Sequence, residues 1–448
     1  MESVEQKERY VFLETFGCQM NDNDSERILG HLATMNYSAT NDPERADLIL
    51  LNTCSIREKA EHKVYSALGR YRALKERRPG TILGVGGCVG QQEGSRLLKR
   101  LDYLDIVFGT GSIHRLPELI NNISRHRGQQ EATELTRTLD PDEFAVTPYR
   151  NSPVKAFVTI MRGCNNFCSY CIVPYVRGRE VSRSAPDILE EVVRLASSGV
   201  KEVTLIGQNV NSYGNDGGAS FPDLMKMVCD IDGIERVRFT TSHPKDLSRE
   251  LIKLIAVEEK VCGHLHLPVQ SGSNAVLKRM GRGYTWEEYL EKITLLRELS
   301  PDIAITTDII VGFPGETEAD FSDTVNLLEA VEYDNIFSFK YSPRPMTKAI
   351  ELDGEVEHDV KRERLLSVQQ LQSRITLRKN RALIGREVKV LVEGKAKAGD
   401  GCLTGRTTCN RVVNFAGSEE WIGEVISLAV QDGSFNSLSG IVGGEVKC

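Results

Sequence analysis

With 448 residues the chain exceeds what one ordinary core fills, so about two to four domains are expected. An apolar fraction of 40% and a charged fraction of 27% fit a globular protein. No run approaches the ~18 uninterrupted apolar residues of a membrane span, and the polar start MESVEQKERY is no secretory leader, so a cytoplasmic location is expected. A formal net charge of −7 excludes global electrostatic attraction to nucleic acid and leaves only local basic faces, and eleven cysteines without a leader argue for metal or catalytic sulfur over disulfides.

From about residue 10 to 120, short apolar runs alternate with helical ones. VFLETFG precedes DSERILGHLATM, DLILLNT precedes REKAEHKVYSALGRYRALKE, TILGVGG precedes QEGSRLLKRL, and DIVFG comes last. This alternation predicts a doubly wound parallel sheet in an N-terminal domain spanning 8–125. The first three strands end in Cys18, Cys54 and Cys88. Parallel strands share one carboxyl edge, so three thiols distant in sequence are expected together there. Gly17, Gly86 and Gly87 clear side chains where a bulky ligand would approach. The stretch 126–152 is polar, contains proline and has no clean periodicity; it reads as a linker. The helical run 59–78, with Lys63, Arg70, Arg72, Lys75 and Arg77, is one candidate basic face.

A second domain, 153–381, carries six strand-like runs: VKAFVTIM, EVTLIG, VRFTTS, GHLHLP, IAITTDIIVG and NIFSFKYS. Helical runs between them predict an open or partial (β/α)6 barrel with its chemistry on the loops after the strands. The first such loop is RGCNNFCSYCIVPYVRG. Its Cys164, Cys168 and Cys171 follow the spacing C-x3-C-x2-C, and nothing downstream supplies the fourth ligand of a zinc site. Three thiolates suit three irons of a cubane cluster, with the fourth iron left for a small molecule. His264 and His266 alternate on a strand and read as structural. The densest basic run, KRERLLSVQQLQSRITLRKNR at 361–381, closes this domain. From 382 to 448 the runs REVKVLVEG, RVVNFAG, WIGEVISLAV and LSGIV predict a small antiparallel barrel, a fold that often reads nucleic acid. Cys229, Cys262, Cys402, Cys409 and Cys448 read as ordinary residues, the pair Cys402 and Cys409 being an alternative metal candidate.

GCNNFCSYC resembles the signature of the radical S-adenosylmethionine (SAM) superfamily. The segments TFGCQMNDNDSE, NTCSIREKAE, GVGGC, TLIGQNVNSYG, TSHP, HLPVQSGSN, TDIIVGFPGET and YSPRP extend the resemblance to the methylthiotransferase family, most closely its MiaB branch. The last barrel resembles the family's TRAM module. The resemblance implies two 4Fe–4S clusters, one on Cys164, Cys168 and Cys171 and an auxiliary one on Cys18, Cys54 and Cys88. It places Tyr170, Gly207, Gln208, Asn209, Ser242, His243, Pro244, Gln270 and Asp308 around SAM. It further implies a tRNA substrate, the anticodon stem-loop carrying isopentenyladenosine, which gains a methylthio group at C2. One SAM would supply the methyl group, a second the radical, and the auxiliary cluster the sulfur. An electron donor such as flavodoxin or ferredoxin, no membrane and a monomeric chain complete the expectation. Alternatives are methylthiation of threonylcarbamoyladenosine in tRNA or of a ribosomal-protein aspartate, and a cluster-carrying RNA-binding or electron-transfer protein without catalysis. The open triads argue against the last, since carriers usually close all four ligands. Met346 stands in YSPRPMT where the family often has glycine. The near-neutral barrel leaves RNA contacts to a few arginines, such as Arg406 and Arg411, and to the helix before it.

Overall fold

Six parallel strands build the N-terminal sheet: β1 (Arg9–Thr15), β2 (Tyr37–Ala39), β3 (Leu48–Thr53), β4 (Ile82–Gly86), β5 (Ile106–Phe108) and β6 (Gln130–Ala132), in the order β2-β1-β3-β4-β5-β6. Every residue of β3 is buried, as its unbroken apolar run LILL requires of a strand covered on both faces. The strand order reverses between β1 and β3, which puts a topological switch point, the usual ligand crevice of such sheets, where Cys18 and Cys54 follow their strands. The edge strands β2 and β6 have three residues each, YSA and QEA, with one buried side chain apiece. So little apolar patterning gives no strand signal, and β6 lies inside the stretch 126–152 expected as a linker.

This computed structural model describes residues 8–55, 58–126, 128–135, 141–144, 148–150, 152–397 and 401–443, with the side chains of 58–62, 126, 141 and 142 excepted. Cys448, residues 56 and 57 of NTCSIRE and the Lys59 side chain in the first basic run therefore lie outside the described residues. The chain forms two compact units. One comprises Met1–Asn151, Arg162–Asn165 and Cys171–Val181; the other comprises Ser152–Met161, Asn166–Tyr170 and Ser182–Cys448.

In the second unit the six expected core strands are all present: β7 (Lys155–Thr159), β8 (Glu202–Ile206), β9 (Arg236–Phe239), β10 (His264–His266), β11 (Ala304–Val311) and β12 (Asn335–Lys340). They form two parallel three-stranded sheets, β9-β8-β7 and β10-β11-β12, joined by the single bridge Val237–Val261 ahead of β10. An open barrel results. One face buries Leu265, Ile305, Ile309, Val311 and Ile336 with Ile293, Leu296, Leu327 and Leu328 of the surrounding helices. Each strand's alternate residues, among them His266, Asp308 and Phe337, line the opposite face.

Five strands close the C-terminal barrel: β13 (Glu387–Lys395), β14 (Cys402–Thr407), β15 (Val412–Ala416), β16 (Val425–Gly433) and β17 (Leu438–Ile441). Its pairings are antiparallel except β15 with β17, where Val413 faces Leu438 in parallel. Arginines dock it onto the core. Arg236 donates to the carbonyls of Arg406 (2.7 Å) and Lys389 (3.3 Å), and Arg238 donates to those of Thr407 (2.7 Å) and Thr408 (2.9 Å) while its Nε lies 2.9 Å from Glu202. Arg411 pairs with Asp334, which also receives Lys379 at 2.8 Å from the helix His358–Arg381.

Met346 occupies the left-handed region at φ 66°. Pro345 precedes it, and Thr347 N–H donates to Arg344 O at 3.3 Å, which is the pattern of a type II turn whose third position favours glycine. Its side chain is exposed, so packing does not compensate. Relief of about 1–2 kcal/mol of backbone strain, less about 0.4–1 kcal/mol of added unfolded-chain entropy, predicts that Met346→Gly stabilises the protein on the order of 0.5 kcal/mol. Denaturant titration reads this, and a lowered midpoint contradicts it.

Candidate functional site

In the first unit, close backbone approaches assemble Cys18, Cys54 and Cys88. A Cβ on Gly17 (φ 142°) would lie 2.7 Å from Cys54 Cβ, and one on Gly87 (φ 85°) would lie 2.4 Å from Thr53 O. The loops after β1, β3 and β4 therefore touch, and only glycine permits it. Cys18 caps the helix α1 (Gln19–Ala33), its carbonyl accepting from Asn21 N–H at 2.8 Å. Asn21 in turn donates to Thr53 O (2.9 Å), and Asn52 donates back to Asn21 O (2.8 Å). Cys88 opens the short helix α2 (Gly87–Glu93), and both Cys54 and Cys88 are buried.

Burial pushes the Cys88 thiol upward, while the Arg177 guanidinium, which hydrogen-bonds it, pulls the other way. Arg177 is itself buried and pairs with Asp24 at 2.7 Å. Asp24 lies 3.7 Å from Arg27, which reaches Glu143 at 3.4 Å, and Glu143 meets Arg162 at 2.8 Å. A cationic donor thus faces the Cys88 sulfur, as a thiolate ligand to a metal would need. In the same unit Gly163 and Gly178 have positive φ, and Cys164 N–H donates to Gly178 O at 3.2 Å, pinning the start of the second cysteine motif.

The second unit holds the middle of that motif. Ser169 N–H donates to Met280 O, Ser169 O accepts from Ala349 N–H, both at 2.8 Å, and Phe167 has φ 46°. Cys168 is buried and meets two side chains: Arg282 Nη1 at 3.4 Å and His243 Nε2 at 4.0 Å. His243 Nδ1 accepts from Lys245 N–H at 3.3 Å, so the ring proton sits on Nε2, toward the sulfur. Burial, then Arg282, Lys245 and Lys292, lower the His243 pKa to about 2 and keep it neutral. Arg282 is fixed by Pro268 O (2.6 Å) and Tyr284 (2.9 Å) and reaches the Tyr170 hydroxyl at 3.4 Å.

Of the residues expected around SAM, 207–209, 242–244 and Gln270 follow strand ends of this unit, Asp308 lies within β11 and Tyr170 in the cysteine loop. Asn209, buried, donates to Asp246 at 2.7 Å and accepts from His243 N–H at 3.1 Å, tying the loop after β8 to that after β9. Gly207 precedes it by two, alongside Gln208, and a Cβ there would strike Met161 Cγ at 2.4 Å. Ser242 and Pro244 are buried beside His243, and Ser242 Oγ meets no hydrogen-bond partner among the described residues. Gln270 adopts φ 76°, its N–H donating to Asp308 O and its carbonyl accepting from Ile310 N–H, each at 2.9 Å. Asp308 lies 3.5 Å from His266 Nε2. Tyr170 packs edge-on to Phe313, centroids 6.4 Å apart. Left-handed Phe167, Thr241 and Gln270 put strain at the strand ends, where binding sites store it.

Sequence reasoning missed Arg177, Asp24, Arg282 and Lys245. For Arg282 a signal existed, since it stands between two glycines in MGRGY, and both adopt φ 69°. Among the described residues no three His, Cys, Asp or Glu side chains gather around a single ion. A cubane asks for one thiolate per iron instead, and thiols lined with cationic or neutral N–H donors, next to a partnerless buried hydroxyl, fit a cluster with a polar cofactor.

Three family models match along the chain: the radical SAM superfamily over residues 158–328, the uncharacterized protein family UPF0004 over 10–109 and the TRAM domain over 381–442. The chain is 53% identical to tRNA-2-methylthio-N(6)-dimethylallyladenosine synthase of Geotalea uraniireducens, covering 97% of this chain and 99% of that one. The enzyme of the same name from Geobacter sulfurreducens is 51% identical over 96% and 97%. Among solved structures, the radical S-adenosylmethionine methyltransferase TsrM of Kitasatospora setae shares the fold, with a TM-score of 0.55 at 16% identity over 76% of this chain and 74% of that one. With half its residues matched from end to end and all three modules in order, the chain belongs to the tRNA-2-methylthio-N(6)-dimethylallyladenosine synthase family of radical SAM methylthiotransferases.

Proposed function

We propose a division of labour for the family's reaction, conversion of N6-isopentenyladenosine in tRNA to its 2-methylthio derivative. Residues 153–381 carry the SAM-binding cluster on Cys164, Cys168 and Cys171. Residues 8–125 carry the auxiliary cluster on Cys18, Cys54 and Cys88, and residues 382–448 read RNA. When bound, the clusters and SAM supply a low-potential electron, a radical for an aromatic C2–H that acid and base catalysis leave untouched, the sulfur and the methyl group. The side chains bind and orient. Arg282 and His243 aim N–H groups at Cys168 sulfur, and Arg177, held by Asp24, does so at Cys88. Residues 207–209 and 242–244, with Tyr170, Gln270 and Asp308, receive SAM, the Ser242 hydroxyl finding its partner there. One observation carries the reading: likeness runs through 97% of the chain at 53% identity.

We place the reaction in the cytoplasm, on a monomer fed by flavodoxin or ferredoxin; no helix among the described residues is long and apolar enough to cross a membrane. The RNA surface runs along the helix His358–Arg381, where Arg374 is exposed. Lys379 and Arg411 serve the docking of the barrel instead, both on Asp334.

Nucleoside mass spectrometry of tRNA from cells with and without the gene tests the activity; unchanged 2-methylthio nucleosides remove it. Anaerobically reconstituted protein is expected to hold about eight irons, two cubanes' worth. The triple change of Cys164, Cys168 and Cys171 to Ala should leave about half and end 5′-deoxyadenosine formation, and full iron retention would refute the ligand set. For RNA, Arg374→Glu is expected to flatten the salt dependence of tRNA binding by about one unit of slope. Arg411→Ala should instead lower stability by about 1–3 kcal/mol, leaving Asp334 half-satisfied, and keep the slope; a reversed pattern would exchange the two assignments.

A further inference from the structure

The inner face of the half-barrel β10-β11-β12 carries two open aromatic rings. Phe337 is 47% exposed and Phe339 36%, whereas Phe221, Phe239, Phe313 and Phe321 of the same unit are buried. Both rings lie on the face opposite Ile336, which joins the helix-covered core. Across the ladder Phe337 pairs with Asp308 and Phe339 with Ile310. The Phe337 ring stands edge-on to His266, centroids 5.8 Å apart. Ile310 packs into the cluster formed by Phe313, Tyr341 and Tyr170, one of the two residues between Cys168 and Cys171. A strip of apolar surface therefore runs from the cysteine loop to two exposed phenylalanines inside the barrel.

The substrate supplies a matching chemistry. A dimethylallyl group has five carbons and no hydrogen-bonding atom of its own, so apart from the one N6–H it replaces, apolar contact is what distinguishes prenylated adenosine from adenosine. Rigid aromatic rings give such contact at low entropic cost. A substituent ending in a carboxylate, as in threonylcarbamoyladenosine, would meet Asp308 directly across from Phe337 and be repelled. We infer that Phe337 and Phe339 form the surface that reads the dimethylallyl chain of the target nucleoside and so determine specificity for prenylated tRNA. The inference rests on the activity proposed above and adds the residues that select the substrate.

The test compares wild type with Phe337→Ala/Phe339→Ala and with Phe337→Leu/Phe339→Leu, all reconstituted. Two anticodon stem-loop RNAs, one prenylated and one not, serve as ligands, and binding is measured separately from turnover. A single methylene in an apolar pocket sets discrimination of roughly 10–200-fold. The alanine pair is expected to lose at least about tenfold of the preference for prenylated RNA, mainly in affinity and KM. The leucine pair, still apolar, should keep most of it. Binding of unprenylated RNA, iron content and SAM cleavage without RNA should stay as in wild type. Equal loss for both RNAs, an undiminished preference, or a weakened SAM affinity with the preference intact would each overturn the proposal, the last by assigning the rings to the cofactor. Absence of methylthiolated product in wild type would remove the proposed activity alone, because the binding comparison still reads the rings.

Discussion

Parallel strand pairing is the constraint on which the rest of this molecule depends. Each parallel strand needs a crossover before the next, so all strands of a sheet deliver their carboxyl ends to one edge. In the first unit that edge collects three cysteines separated by 36 and 34 residues in sequence (18 to 54, 54 to 88). In the second it collects residues 207–209, 242–244, 270 and the middle of the cysteine motif. No local motif could assemble either set, and along each edge glycines such as Gly17 and Gly87 or left-handed residues such as Thr241 and Gln270 stand among its members.

Buried arginine is the second recurring device. A guanidinium cannot shed its charge, so burying one demands several acceptors held in fixed directions. Arg282 has a carbonyl, two phenols and a thiol; Arg177 has a carboxylate and a thiol; Arg238 has two carbonyls and a carboxylate. In the first two the sulfur is one acceptor among several, so the arginine stays oriented whether or not that sulfur changes its charge. Such donors raise the potential of an iron–sulfur group by stabilising its more negative state.

Much of this was legible in the residues. The core strands of both sheets announced themselves as β-rich apolar runs followed by helical periodicity, and the cysteines stood at strand ends that the alternation alone located. The short edge strands were silent because three residues with one buried side chain carry no pattern. The arginines were silent for another reason: a charged residue reads as surface unless its partners are known, and Asp24 lies 153 positions from Arg177, Cys168 114 from Arg282. Arg411 and Lys379 illustrate the converse. As basic residues beside a nucleic-acid-type barrel they read as phosphate contacts, yet Asp334 holds both.

Asp334 has a wider meaning. Its carboxylate accepts Ile305 N–H from β11 at 2.9 Å as well as Lys379 from the helix and Arg411 from the barrel, so strand, helix and barrel converge on one side chain. With Arg236 and Arg238 gripping the barrel's backbone from the core, the barrel is held by several directional bonds to the unit whose strands carry Phe337 and Asp308. Stiffness on the protein side leaves the compliance to the nucleic acid. A stacked base that engaged such a surface would have to leave its stack to do so, at a cost of a few kcal/mol, and the energy of binding would have to cover it.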